Sequence, residues 1–292
     1  MIAAFIDGLF RYQFLQNALL TSIIVGLISG VIGSFIILRG MSLMGDAISH
    51  AVLPGVAVSY MFGFNYIFGA SIFGLLAALS IGFITQKSPL KNDTAIGVVF
   101  SSFFALGIIF ISFAKSSTDL YHILFGNVLA VADTDILITC VVGVIVLIFV
   151  ALFYKELQLT SFDPTMAQAY GLNIQFFHYA LMFLLTLVAV SSLQTVGTIL
   201  VIAMLITPAA TAYLLTNHLP TMIGLASTFG ILSSVIGLFF SYSYNLASGA
   251  TIVLTAALFF LLAFFFSPKK GLVFVNREKE MEEIGRASCR ER

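Results

Sequence analysis

The chain has 292 residues, 60% of them hydrophobic and 9% charged, and a mean hydropathy of +1.09. A soluble domain is about 45–50% apolar and about 25% charged, so this composition specifies an integral membrane protein and leaves no room for a large soluble domain. The formal net charge is zero; what matters is how Lys and Arg divide across the bilayer, and nothing in the composition calls for a nucleic-acid partner.

The apolar runs are continuous rather than alternating, which specifies helices and not barrel strands. The opening MIAAFIDGLFRYQF has no basic start and no processing site, so no cleavable signal peptide is expected. In chain order, runs long enough to span fall at 14–38, 45–62, 66–85, 94–114, 134–154, 177–196, 197–216, 221–243 and 246–267. The expectation is an all-α membrane protein of about nine transmembrane helices, within a range of eight to ten. The sixth and seventh spans run together around SSLQTVGTIL, so their boundary is the least defined.

With the N-terminus outside, one face carries Arg39, Lys87, Lys91, Lys155, Lys269, Lys270, Arg277 and Lys279, and the other only Arg11 and Lys115. Basic residues favour the cytoplasmic side, so the first face is cytoplasmic and the C-terminus lies there too.

Two connections stand out. The outer one, 115–133, contains the apolar patch HILFGNVLAV, which suits a segment lying flat at the interface. The inner one, 155–176, reads KELQLTSFDPTMAQAYGLNIQF. Asp163 and Pro164 suit a helix start with Pro164 first in the helix, and Gly171 suits its C-terminal cap. One short, rigid, exposed cytosolic helix is expected there.

Residues 1–268 read as a single transmembrane domain and 269–283 as a cytosolic tail. Residues 284–292, IGRASCRER, read as a translated sequencing adapter and are set aside with Cys289. Cys140 sits in an apolar run and reads as a small buried hydrophobe, so no disulfide framework follows. A faint echo between GVIGSFIILRGMSL and VGTILVIAMLITPA suggests an internal repeat.

The polar exceptions carry the chemistry. Asp46 and His50 lie four residues apart inside the second span, on one helix face. A charge at the bilayer centre costs roughly 2.5–3.5 kcal/mol on insertion scales, so such residues persist where they meet a cavity or a partner. Carboxylate oxygen with imidazole nitrogen suits Mn, Zn or Fe, and the missing thiolate argues against Cu(I). Two ligands do not hold a metal alone; two chains about a two-fold axis would bring four. The other reading of the spacing makes Asp46 the N-cap of the second span and His50 a packed interior histidine. Pro54 and Pro208, inside spans, would kink a helix or free a carbonyl to line a path. His122, His178 and His218 have no such neighbour and read as interfacial residues. The sequence contains no G-x-x-x-x-G-K-[ST] loop, no H-E-x-x-H and no G-x-S-x-G, so no ATP site, zincin-type protease site or nucleophile elbow is expected in this chain.

Four stretches in order, GMSLMGDAISHAVLPGVA, HILFGNVLAV, SFDPTMAQAYG and VGTILVIAMLITPAATAYLL, resemble the permease subunit of ATP-binding-cassette importers for manganese, zinc and iron. The match is closest to the manganese permeases of Gram-positive bacteria and runs from about residue 1 to 268. The resemblance implies a helical bundle like that of vitamin B12 permeases, in the bacterial cytoplasmic membrane. It implies a homodimer docked on a cytosolic ATPase dimer and served by an extracellular metal-binding lipoprotein. It also implies that Asp46 and His50 bind the transported metal, with no permanent cofactor, and that ATP hydrolysis belongs to the partner chain. The ATPase-coupling helix would fall at 161–171, with Ser161, Phe162, Asp163, Pro164, Ala167 and Gly171 matching its pattern. The competing class is a proton-coupled secondary metal transporter, in which Asp46 and His50 would also carry protons and the inner helix would have no motor to meet.

Overall fold

The computed structural model describes residues 2–114 and 131–267, and among them every regular element is a helix. Along the chain these are α1 (Ile2–Arg11), α2 (Gln13–Leu38), α3 (Met44–Ala51), α4 (Leu53–Phe62), α5 (Tyr66–Lys87) and α6 (Asn92–Ala114). After the undescribed stretch come α7 (Asp133–Leu152), α8 (Tyr154–Phe162), α9 (Pro164–Ala169), α10 (Ile174–Val196), α11 (Thr198–Leu215), α12 (Leu219–Tyr244) and α13 (Ser248–Phe266). Eight helices, namely α2, α5, α6, α7, α10, α11, α12 and α13, are long and apolar enough to cross a membrane. They match eight of the nine expected spans.

The remaining span, expected at 45–62, is divided into α3 and α4 at Val52. Proline explains the break. Pro54 has no N–H to offer the carbonyl of His50, so the helical ladder loses a rung at that turn. Val52 keeps helical dihedrals (φ −77°, ψ −16°), so the path bends without turning back. The two pieces together cover the length of a single crossing, about 28 Å at 1.5 Å per residue.

The join of the sixth and seventh spans resolves at Gly197. Its φ of 81° lies in the left-handed region that only glycine enters freely, so α10 can give way to α11 across one residue. α10 also starts earlier than expected, because Asn173 caps it by accepting from the Phe176 N–H at 3.1 Å.

The inner connection holds more structure than the sequence suggested. Residues 155–160, expected as loop, fall in α8, which is set off from α7 at Phe153 (φ −106°, ψ 26°). The cytosolic unit is therefore two helices rather than one, and Ser161 and Phe162 close the first of them.

Packing centres on α2, the most buried of the spanning helices. It lies along α12, where Gly26 and Gly230 let the backbones touch: a Cβ on either would overlap the other's carbonyl. Gly55 of α4 and Gly69 of α5 do the same. Small residues at a crossing are how helices gain contact in lipid, where the hydrophobic effect gives no drive to associate. Cys140 departs from its expected burial and is exposed on α7, on a surface where lipid makes an outward thiol no more costly than an inward one.

Contacts at the ends of the bundle bring together residues that the charge pattern groups on one side. Arg39, placed inside, hydrogen-bonds Thr160 and Ser161 of α8. Ser267 donates to the Leu214 carbonyl at 2.6 Å, joining two more inner ends. Asn17, at the outer end of α2, donates to Asp133 at 2.8 Å. The expected interfacial patch HILFGNVLAV, with His122, falls largely outside the described residues.

Candidate functional site

α3 opens after a tight turn at the inner end of α2. Its N-cap is Leu43, which makes no side-chain cap. Asp46 is therefore not the cap, and the capping explanation of this carboxylate falls. It sits in the first turn, where the helix dipole favours a negative charge. One turn further on, His50 brings Nε2 to 3.5 Å from Asp46 Oδ1. At 1.5 Å of rise per residue, His50 lies only about 9 Å along the axis from Met44, so the pair occupies the cytosolic half of the crossing.

The imidazole is held from one side. Phe100 and Phe104 of α6, themselves stacked, meet it edge-on with ring centroids 5.6 Å away in each case. Its Nδ1 is buried and makes no hydrogen bond with any described residue. The other face of the pair is open: 43% of the Asp46 side chain and 26% of His50 remain exposed. Among the described residues no third His, Cys, Asp or Glu joins them. One chain thus offers one carboxylate oxygen and one imidazole nitrogen on an uncovered face.

The two prolines flank this pair differently. Pro54 lies at the break just beyond His50, and its ring packs near Gly107 of α6. Pro208 is buried inside α11 and leaves the Met204 carbonyl without its usual i+4 donor. Leu205, in the same turn, lies against Gly45, next to Asp46. Pro208 thus lies one turn from the residue that backs α3 at Gly45. Of the remaining histidines, His218 precedes α12 as its N-cap residue without a side-chain cap, and His178 lies in α10 against Tyr179. Neither approaches the pair closely enough to form a cluster with it.

At the cytosolic end, Asp163 caps α9. Its carboxylate accepts from the Met166 N–H at 2.9 Å and from the Thr165 hydroxyl at 2.7 Å. Those two bonds hold the carboxyl below its ordinary value. Pro164 takes the first helical position, as expected. Gly171 (φ 79°) ends the helix, with the Leu172 N–H reaching the Ala167 carbonyl and the Gly171 N–H reaching Gln168, both at 3.0 Å.

The surface of this unit differs from what its sequence pattern suggests. Ala167 is fully buried and faces the chain's own interior. Phe162, Met166 and Tyr170 point outward instead, 55%, 47% and 71% exposed. They sit at the last residue of α8, within α9 and at its C-cap, three exposed apolar side chains on the connection that the basic residues place inside. Met166 and Tyr170 escaped the sequence reading, although their spacing from Phe162 was the available signal.

Comparison with known proteins bears on the whole chain. The sequence profile described as the ABC 3 transport family matches residues 11–267. The manganese transport system membrane protein MntC of Listeria monocytogenes is 68% identical over 278 residues, covering 95% of this chain and 99% of its own. The manganese import system permease protein ScaB of Streptococcus gordonii is 61% identical, covering 92% and 97%. Among solved structures, a chain of PsaBC from Streptococcus pneumoniae in complex with Fab superimposes with a TM-score of 0.84 at 61% identity, over 92% of this chain and 98% of that one. With a matching profile over nearly its full length, relatives above 60% identity and a shared helical bundle, this chain belongs to the ABC 3 transport family.

Proposed function

We propose that this chain is the membrane permease of an ATP-driven importer that brings a divalent transition metal, Mn2+ first and Zn2+ or Fe2+ next, into a bacterial cytoplasm. The observation that carries the reading is the Asp46–His50 pair. It presents one oxygen and one nitrogen donor on an uncovered helix face in the inner half of the crossing. Two permease copies facing each other would complete a shell of two carboxylates and two imidazoles. Such a shell is loose enough to release the ion, because few protein donors bind it and water can replace them. The relatives named for manganese support Mn2+ over the other metals that accept the same donors. Pro54, at the break between α3 and α4, and Pro208, with the carbonyl it frees in α11, are the places where the path can flex.

The cytosolic stripe of Phe162, Met166 and Tyr170 is the dock for a separate ATPase, one per permease copy. An extracellular metal-binding lipoprotein delivers the ion from the other side. A secondary transporter has no use for such a dock, so the stripe favours the ATP-driven reading.

The test is metal content by mass spectrometry in cells lacking this gene. They are complemented with wild type, Asp46→Ala or His50→Ala under limiting Mn, Zn and Fe in turn. Wild type restores Mn, and both variants reach the membrane yet restore none. Full restoration by either variant overturns the site.

A further inference from the structure

Arg39 is the C-cap residue of α2, at the end that the basic residues place inside. Its Nε donates to the Ser161 hydroxyl at 3.0 Å and its Nη2 to the Thr160 hydroxyl at 2.8 Å. Both hydroxyls donate in turn to carbonyls of their own helix: Ser161 to Leu157 at 2.6 Å, and Thr160 to Glu156 at 2.8 Å. The guanidinium fork therefore grips the last turn of α8 at two points and has no carboxylate within ion-pair distance among the described residues. Burial without a counter-charge pulls its pKa down to about 10, so it stays charged at neutral pH. A partly buried cation whose side-chain partners among the described residues are two neutral hydroxyls is a costly arrangement for mere adhesion.

What lies on either side of the contact gives it a use. Ser161 is followed by Phe162, the first residue of the docking stripe, and then by Asp163, the cap of α9. Arg39 is followed by Gly40 (φ 66°), whose N–H and that of Met41 turn back onto Ile37 and Ile36 at 3.0 Å. Met41 and Met44 are buried, and the Met44 N–H returns to Met41 at 3.0 Å. The turn from Arg39 to Asp46 is thus short, hydrogen-bonded and packed, with little slack to absorb a displacement.

Resting on the reading of α8–α9 as the ATPase dock, we infer that Arg39 is a positioning residue that passes movement of the docking unit to the helix bearing Asp46 and His50. Its two-pronged grip resists both sliding and rotation of α8 against the end of α2. A lysine, as a point charge on a flexible stem, would hold one hydroxyl at a time.

The experiment uses the complete permease–ATPase complex in proteoliposomes, measuring Mn2+ taken up and ATP hydrolysed on the same samples. Arg39→Gln is expected to leave the complex assembled and hydrolysing ATP, while Mn2+ moved per ATP falls about tenfold, a drop typical of a lost coupling between sites. Arg39→Lys recovers part of the ratio. Thr160→Val with Ser161→Ala, which keeps the charge and removes its acceptors, reproduces the fall, and adding Arg39→Gln to it lowers the ratio no further. If Arg39→Gln does not assemble, the hydroxyl variant decides in its place. A wild-type ratio in whichever variant assembles, or additive losses in the combination, overturns the inference. The dock is tested apart from it by Met166→Ser with Tyr170→Ser. If that variant retains the ATPase, the docking reading fails. If it sheds the ATPase while Arg39→Gln keeps the wild-type ratio, only the role of Arg39 fails.

Discussion

Single residues decide where backbones touch. Gly55 and Gly69 bring α4 against α5 with no room for a side chain, one turn beyond the break at Val52. Gly55→Leu forces the pair apart and is expected to cost about 1–3 kcal/mol, as overpacking does. The check is a lowered melting temperature of the purified permease in detergent. Gly97, by contrast, has open space around its missing Cβ, and Gly97→Ala leaves the melting temperature unchanged or raises it slightly. At this scale the sequence was informative about identity and silent about surroundings. The pairing of Asp46 with His50 follows from their spacing alone, since side chains four apart share a helix face. That Phe100 and Phe104 back the imidazole depends on neighbours far away in sequence, and that Ala167 turns inward depends on how α9 packs on the helices either side of it. No local pattern carries them.

At the scale of the element, α9 is held by its two ends more than by its length. A helix of 6 residues is too short to be stable by itself, so Asp163 and Gly171 set its shape. Asp163→Ala removes an acceptor for the Met166 N–H and is expected to weaken retention of the ATPase on an affinity column. Asp163→Asn, which caps as well as aspartate, retains it. The pH dependence has a definite sign. The folded carboxyl titrates below its ordinary 3.8, so its contribution is complete above that value and is lost as pH falls through the depressed one. Retention by wild type should therefore be flat from neutrality down to about pH 5 and decline only in stronger acid, if this cap is the group that limits it. The start and stop of α9 were legible because Asp-Pro and Gly are local signals. α8 was not, since its residues are mixed in polarity and its helix is fixed by burial of Leu157 and the grip of Arg39 on its last turn.

For the whole molecule, hydropathy was enough to place the eight long apolar helices and the shorter run that α3 and α4 share. The one split crossing was signalled by Pro54, and the reversal at 197 by a glycine between two apolar runs. What composition cannot convey is that the face bearing Asp46 and His50 is uncovered in a single chain. If two half-sites make one path, a linked dimer with one intact copy and one carrying Asp46→Ala and His50→Ala should import Mn2+ as poorly as the doubly altered dimer. Half the wild-type rate would instead mean two independent paths. The apolar stripe on α8 and α9 has a bearing on biosynthesis as well. A permease made without its motor shows Phe162, Met166 and Tyr170 to the cytosol, the kind of surface that chaperones and proteases bind. Covering that stripe would then act as a maturation check, so that copies in excess of the ATPase are degraded and the two subunits accumulate in step.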